Sequence, residues 1–516
     1  MRTLVLSFVV VFSLTDLTQS TSGSPRRYRR CNEGQPYTAA RGSEPGLPKR
    51  AVVKAAASTN QQTYVRKDVS VLSQAEIDAL RKGVEVMKAR DAKDKTSWLY
   101  QANIHGTTDD PLLEGWAQCQ HGSYFFFSWH RMYLYYFERI LRKASGDPNL
   151  ALPYWNWSLP SQRTLPAIFR VPADPDSNSL FVAERNQGTG NQDGINDGAE
   201  LPGPATSFAA AFARTNFFSS PGSGLSFGGQ QVPEPKHQIR PHGKLESQPH
   251  DILHGLIGGD GWMGDPDFAA RDPIFWLHHA NIDRLWKRWL DQGGRQNPLT
   301  DKVWMTTKFS FFDEDGNKVE MAGKDILDTV AQLGYRYDDD PPPNIVALIG
   351  HHNPAREVAV NKPKLLFRLE KKGELGLQQS TVPVPLSKEV LTNVRGAIAE
   401  KKTLILTVDE IRFEKNPGVY YEVYLNLSEK TEPDPHSIFH IGNLGFFSRK
   451  AHAPKGHKVA FDITQAVQAL QKANAWNDKE LKVTFVMRGL IPPKGKRALH
   501  KEGKRAEFSG ISLSVQ

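Results

Sequence analysis

Apolar residues recur at helical spacing over several stretches in the first half of the chain. The clearest stretch begins at Ser73 and Glu76, which mark a helix start, and apolar residues then follow every three or four positions. The same spacing predicts further helices over residues 126–143, 249–256 and 273–290.

The pattern changes after residue 338. The DDDPPP run at 338–343 and the residues that follow it to 364 are typical of a linker. Beyond it, apolar and polar residues alternate in short runs. This alternation predicts strands over 402–408, 420–427, 481–487 and 508–515. Several short strands at this spacing favour a β-sandwich or barrel of about 150 residues.

These patterns predict a mainly α core, a four-helix bundle with long loops, followed by a smaller β-sandwich C-terminal domain. We place the core at 65–337, the Pro-rich linker at 338–364 and the β-rich domain at 365–516. Residues 158–235 of the core are rich in Gly, Pro, Asn and Ser, and loops of that length in a compact domain are usually functional.

The first 64 residues differ in composition from the rest. Residues 1–24 contain an apolar run, Leu4 to Leu14, that predicts an export signal for a secreted or periplasmic protein; a buried N-terminal helix is the alternative. The run is too short to span a bilayer, so we expect no membrane partner. Residues 25–64 form a basic arm.

The net charge does not favour nucleic-acid binding. The chain has 65 Lys and Arg against 56 Asp and Glu, but eight basic and two acidic residues lie between 24 and 57. Most of the excess is therefore confined to the basic arm, and we expect no nucleic-acid partner. The two cysteines, Cys31 and Cys119, are too few for a disulfide framework.

The chemical signal of the chain lies in two groups of histidines. His250 and His254 stand four positions apart, so one helix face can present both to a single metal ion. His278 and His279 are adjacent and about 100° apart on a helix, so only one of them can face that ion.

The second group is His105, His121 and His130. On one straight helix His121 and His130 would lie on opposite faces, so we expect His121 to lie off the helix. Imidazoles without thiolates or carboxylates suit copper or zinc. A zinc hydrolase built on the HDILH segment is an alternative, but it leaves this second group unexplained; for any single histidine the alternative is an ordinary core residue.

Two longer segments carry a family resemblance. Residues 121–138, HGSYFFFSWHRMYLYYFE, resemble the first-copper signature of tyrosinases and polyphenol oxidases. Residues 272–283, DPIFWLHHANID, resemble their second-copper signature, and PYWNW at 153–157 is similar to the family's sequence between the two. The resemblance covers about residues 65–300. The C-terminal half more weakly resembles the β-rich shield of plant-type members.

The resemblance implies two copper ions, with O2 as co-substrate. Copper A would be held by His105, His121 and His130, and copper B by His250, His254 and His279, with His278 left as a neighbour. Asp283, one turn after His279, either supports the site or is an ordinary acid on the helix surface.

Cys119 stands two positions before His121. Residues at that spacing in an extended segment point to the same side, so the sulfur and the imidazole can touch. Some members of the family have a Cys–His thioether at this spacing, which implies a Cys119–His121 link; a buried thiol is the alternative.

The implied activity is the oxidation of o-diphenols, and of monophenols such as tyrosine by ortho-hydroxylation, to o-quinones. Glu246 matches a water-orienting carboxylate of the family and is expected to act as a base; a solvated acid in a loop is the alternative. Asp251 stands where many hydroxylating members have Asn, so hydroxylation is in doubt. The gate over copper A should lie within 263–268.

The C-terminal domain suggests a latent enzyme. We expect either Phe446 or Phe447, in the apolar segment NLGFF, to occupy the substrate's place; a core position in the sandwich is the alternative. The linker would be open to an activating protease. Phenolic substrates and O2 are then the small-molecule partners, and a haemocyanin-like O2 carrier is the competing interpretation.

Overall fold

The computed structural model describes residues 62–187, 194–340, 362–377, 379–448, 456–493 and 506–516. The predicted export signal, the basic arm up to residue 61 with Cys31, and the linker from 341 to 361 lie outside these residues. Within the described ranges, no helix is both long and apolar enough to cross a membrane.

Helices build the α core, and two more lie in the C-terminal domain. Their bounds are α1 Gln74–Ala89, α2 Trp98–His105, α3 Phe125–Ser145, α4 Gly203–Thr206, α5 Ala209–Phe212, α6 Asp251–Gly258, α7 Ile274–Leu290, α8 Lys302–Thr306, α9 Lys388–Ala399 and α10 Thr464–Lys472. A capping box starts α1, because the Ser73 hydroxyl accepts from the Glu76 N–H and the Glu76 carboxylate accepts from the Ser73 N–H. Gly146, with a φ of 75°, ends α3 in the left-handed conformation.

Strands build most of the second half. Their bounds are β1 Tyr64–Arg66, β2 Lys308–Phe312, β3 Lys318–Ala322, β4 Tyr335–Tyr337, β5 Lys364–Leu369, β6 Gly373–Leu375, β7 Ser380–Pro385, β8 Leu404–Ile411, β9 Tyr420–Leu425, β10 His440–Leu444, β11 His457–Asp462, β12 Glu480–Arg488, β13 Ala506–Phe508 and β14 Gly510–Val515. Two four-stranded antiparallel sheets, β10-β9-β12-β7 and β11-β8-β14-β5, enclose one hydrophobic cluster. The register sets Phe485 opposite Val423 and Leu513 opposite Leu406.

A second and larger hydrophobic cluster fills the α core. It is built mainly by α1, α2, α3, α6 and α7, and it is rich in Trp and Phe. Two buried side chains of the C-terminal domain, Tyr420 and Phe447, belong to this cluster rather than to the sandwich. The C-terminal domain therefore inserts side chains into the core of the first half.

A buried ion network ties α3 to α7. Arg131 Nε donates to Asp283 Oδ1 over 2.6 Å, and the hydroxyls of Tyr335 and Tyr337 donate to Asp283 Oδ2 over 2.6 and 2.7 Å. Asp283 is therefore neither a supporting ligand partner nor a surface acid: it is 3% exposed and fixes the spacing of the two helices.

The predicted fold class is confirmed, and the four predicted helices and four predicted strands are present within a few residues. We missed α2, because it is buried on nearly every side and so shows no amphipathic contrast. We also missed α9, although its buried residues Val390, Val394 and Ala397 follow helical spacing.

The start of the predicted linker is held in place. Asp338 accepts from the Tyr154 hydroxyl over 2.7 Å, and Asp339 accepts from Arg284 and Arg288. Asp340 accepts from Arg288 over 2.9 Å, so residues 338–340 are fastened to the α core.

Replacing Asp283 with Asn should destabilise the protein strongly. The change leaves the buried Arg131 guanidinium without its counter-charge, and breaking a buried pair in this way costs about 3–5 kcal/mol. Denaturant unfolding followed by tryptophan fluorescence measures the loss. The control is Glu85→Gln, which removes a surface pair with Lys82 whose side chains are 58% and 63% exposed. Equal midpoints of denaturant unfolding for the two variants would contradict the role given to Asp283.

Candidate metal centre

Six histidines lie together in the α core. They are placed as follows: His105 ends α2, His121 precedes α3, His130 lies on α3, His250 and His254 lie at the start of α6 and within it, and His279 lies on α7. None of the six is more than 3% exposed. The backbone N–H of His121 donates to the carbonyl of His237 over 3.1 Å, so His121 lies on an extended segment, off the helix as expected.

The first three histidines share one orientation. His105 Nδ1 donates to the Pro266 carbonyl over 2.9 Å, and His130 Nδ1 donates to the Phe126 carbonyl over 2.7 Å. His121 Nδ1 donates to the Glu246 carboxylate over 3.0 Å. An imidazole that donates through Nδ1 presents a lone pair at Nε2, and ligating histidines are commonly fixed in this way.

The second three follow the same rule in part. His254 Nδ1 donates to the Met263 carbonyl over 2.7 Å, and His250 Nδ1 donates to Asp251 over 3.0 Å. The ring of His279 stacks on that of His130, with centroids 4.4 Å apart and planes 8° apart. The two sets of three therefore meet face to face.

The inward nitrogens suit metal ions. His105 Nε2 lies 3.3 Å from His121 Nε2, and His254 Nε2 lies 3.4 Å from His279 Nε2. Two nitrogens about 2.0–2.1 Å from one ion at a tetrahedral angle are about 3.3 Å apart. The Nε2 atoms of His130 and His250 are buried and have no hydrogen-bond partner within the described residues. Buried lone pairs aimed at one another are costly unless a cation lies between them.

Burial keeps these rings neutral. It lowers the pKa of His121, His254 and His279 well below the usual range, and the neighbouring imidazoles lower it further. The neutral ring is the form that binds a metal.

His278 lies close to the second set as well. Its ring nitrogens come within 4.8 Å of those of His250, His254 and His279. The centroid of the His278 ring lies 5.9 Å from that of Trp157. The His279 ring instead stacks on His130 of the first set. His279 therefore lies between the two sets.

Glu246 and Asp251 are both buried, and their oxygens already accept hydrogen bonds. Glu246 accepts from His121 and from the Gly122 N–H, which lies 2.9 Å from each carboxylate oxygen. Asp251 accepts from His250 through Oδ1 and from His242 through Oδ2 over 2.8 Å. Burial and the charge of Asp251 raise the pKa of Glu246. A catalytic base at either position stays a prediction.

Asp251 has the opposite shift. Burial alone would raise its pKa, but its contacts with His242, His250 and Arg240 outweigh burial and hold it well below the usual range. The surroundings therefore raise the pKa of Glu246 and lower that of Asp251, although the two carboxyl groups are neighbours.

Cys119 lies beside another histidine that sequence reasoning did not single out. Its Sγ is 3.4 Å from His237 Nδ1, and His237 Nδ1 also lies 2.7 Å from the Cys119 carbonyl. The thioether to His121 stays a prediction.

The two phenylalanines of the NLGFF segment separate. The Phe447 ring stacks on His254, with centroids 3.9 Å apart and planes 19° apart, and lies edge-on to His121 and His250 at 5.7 and 5.4 Å. Phe446 packs instead against Phe413 in the sandwich cluster. Phe447 is therefore the residue that covers the histidines.

The segment expected to hold the gate also orients two of the histidines, and the gate itself stays a prediction. Its carbonyls at Met263 and Pro266 orient one histidine of each set. This segment can approach α6 closely because residue 258 is a glycine. A Cβ at Gly258 would lie only 1.9 Å from the Gly264 nitrogen. The Phe275 ring packs on both sets of histidines, with its centroid 4.2 Å from that of His279 and 4.9 Å from that of His105. Main-chain acceptors carry no signal in the sequence.

Comparison with known proteins follows the same division of the chain. Residues 95–292 match the common central domain of tyrosinase, residues 298–347 the polyphenol oxidase middle domain, and residues 364–496 a domain of unknown function.

Two relatives cover most of the chain. It is 32% identical to the tyrosinase HcTyr1 of Hahella sp. over 83% of this chain and 95% of the relative. It is 30% identical to the chloroplastic polyphenol oxidase A1 of Vicia faba over 83% of this chain and 75% of the relative. The fold resembles that of latent apple tyrosinase, with a TM-score of 0.58, 24% identity, and coverage of 88% of this chain and 97% of that one.

Replacing Glu246 with Ala should weaken metal binding at the first set of histidines. The change removes the acceptor that orients His121, and loss of such a partner commonly lowers metal affinity about 10–100-fold. Titration of the metal-free protein against a competing chelator measures the change. Glu234→Gln, an exposed acid on a nearby segment, is the control. Unchanged affinity in Glu246→Ala would show that His121 is held by other contacts.

Proposed function

The chain belongs to the tyrosinase and polyphenol oxidase family of dicopper phenol oxidases, and from that premise we propose that it is a latent oxidase of o-diphenols. In the overall reaction two o-diphenols and one O2 give two o-quinones and two waters. The observation that carries the latent form is the Phe447 ring stacked on His254.

We assign copper A to His105, His121 and His130, and copper B to His250, His254 and His279. The assignment is supported by the convergence of their Nε2 atoms and by the position of His279 between the two sets. When bound, the copper ions supply the redox chemistry that couples phenol oxidation to O2 reduction.

The chain's own residues position the substrate and exclude water. The centroid of the Phe126 ring lies 4.7 Å from that of His130 and 4.9 Å from that of His250. The Phe275 ring packs on His279, so apolar rings contact both sets of histidines. A diphenol would take the place of the Phe447 ring over His254. Such a dry site strengthens every electrostatic interaction inside it.

We propose o-diphenols rather than monophenols as the main substrates. A monophenol must give its proton to a base, and each oxygen of Glu246 and Asp251 already accepts from a protein donor. This arrangement suits carboxylates that orient histidines. This use of both carboxylates supports the diphenol preference, and a base at Glu246 stays a prediction.

Two further parts of the proposal concern export of the protein and its activation by a protease. Export from the cytosol is supported by the N-terminal pattern, and the chain could be either secreted or periplasmic. Activation by a protease is supported by the composition of the linker after residue 340. The O2-carrier alternative has no counterpart among the relatives named above, which are a tyrosinase and a polyphenol oxidase.

Copper-loaded full-length protein should bind two coppers per chain and form little quinone from catechol. After limited proteolysis in the linker, we expect catechol turnover to rise sharply and tyrosine turnover to stay far lower. Metal analysis measures the copper content, and quinone absorbance measures the turnover of catechol and of tyrosine. Reversible O2 binding without quinone after cleavage would favour the carrier, and equal turnover of tyrosine would overturn the diphenol preference.

Phe447→Ala should raise catechol turnover in the uncut chain. Removing a buried phenylalanine ring costs about 3–5 kcal/mol of packing, enough to shift a closed state toward an open one by about tenfold or more. Phe446→Leu is the matched control, because that ring packs in the sandwich. The cover is not Phe447 if the two variants show the same low turnover as the parent chain.

A further inference from the structure

Arg240 links the covering segment to the copper B side of the site. Its Nη1 donates to Asp251 Oδ2 over 3.2 Å, and its Nη2 donates to the backbone carbonyl of Phe447. The guanidinium is thus held at one end by the α core and occupied at the other end by the C-terminal domain.

The anchor on the α core does not depend on the C-terminal domain. Asp251 is 5% exposed, adjoins His250 and also accepts from His242 Nδ1. When the C-terminal domain leaves, Arg240 keeps this partner and loses the Phe447 carbonyl. One guanidinium edge then faces the space that Phe447 occupied, without an acceptor from that residue.

Phe447 itself shows which molecule would fit both contacts. Its ring stacks on His254 while its carbonyl accepts from Arg240. In phenylalanine the carbonyl carbon is the third carbon from the ring. An aromatic acid with its carboxyl carbon at that position can repeat both contacts at once.

We infer that Arg240 selects substrates by their carboxylate, and that the preferred class is catechols with a three-carbon acid side chain, the 3-arylpropanoic acids. This inference rests on the proposed diphenol oxidation and adds a substrate class to it. A guanidinium binds a carboxylate more strongly than a neutral carbonyl and in a fixed planar geometry. The free acid therefore gains more from Arg240 than any neutral analogue of the same shape.

The test compares an acid with its neutral isostere. Copper-loaded full-length protein is cleaved until the C-terminal domain is released, and kcat/KM is measured for 3-(3,4-dihydroxyphenyl)propanoate and for its primary amide. We expect the acid to be preferred by about tenfold, as for one hydrogen bond to a charged group. When the carboxylate is attached directly to the ring, as in 3,4-dihydroxybenzoate, kcat/KM of the acid should no longer exceed that of its primary amide.

Variants assign the preference to Arg240. In Arg240→Gln the ratio of acid to amide should fall close to one, whereas Arg240→Lys should retain part of it. Lys236→Gln removes the same charge from an exposed position on the same segment and should leave the ratio as in the parent chain. Because the ratio compares two substrates on one enzyme, a general loss of activity in a variant cancels.

A binding measurement completes the test without turnover. Calorimetry should detect 3-phenylpropanoate binding to the cleaved protein, weaker binding of 3-phenylpropanamide, and neither in the uncut chain. Equal kcat/KM for acid and amide in the cleaved parent protein overturns the inference while leaving diphenol oxidation intact. Absence of quinone from every catechol instead overturns the proposed function.

Discussion

The whole site depends on keeping six imidazoles neutral, buried and turned the same way. A ring that donates its N–H to an acceptor turns its other nitrogen inward. Five of the six rings show such an acceptor at Nδ1: the carbonyls of Phe126, Met263 and Pro266, and the carboxylates of Glu246 and Asp251. A wrong tautomer in this dry interior would leave a buried donor facing the metal, which is costly.

That requirement extends to the surrounding fold. Two of the acceptors come from segments far away in sequence, Pro266 for His105 and Glu246 for His121, so the loops that carry them must be fixed as firmly as the helices. The Arg131–Asp283 pair sets the distance between the helices that carry His130 and His279. A buried ion pair contributes little net stability compared with apolar residues of the same size. Its value here is that it allows one spacing of α3 and α7, and hence one stacking of the two rings.

Much of the fold and the identity of the histidines could be predicted, and the reasons are local. Helical spacing is written into α3 and α7, and His250 and His254 lie one turn apart. The contacts that complete the site could not be predicted. Pro266 orients His105 across 161 positions, through a carbonyl that every residue possesses. Phe446 and Phe447 illustrate the same limit: neighbours in an extended segment point to opposite sides, so the pattern yields two candidates, and only tertiary packing decides between them.

In the proposed latent form the cover and the substrate use the same surface. The C-terminal domain also contacts the α core elsewhere: Lys244 Nζ donates to the Ala460 carbonyl over 2.7 Å, and Asn416 Nδ2 donates to the Gly264 carbonyl over 2.9 Å. In that proposal Phe447 is tethered to the site that it covers, so it acts at an effective concentration of about millimolar for a short connection. A free phenol must exceed this effective concentration, or bind correspondingly more tightly, to displace it. Cutting the connection removes this advantage without changing a single contact, because the segment must then compete as a separate molecule. The control therefore lies in chain connectivity, and the contacts of Phe447 need only match those of a substrate.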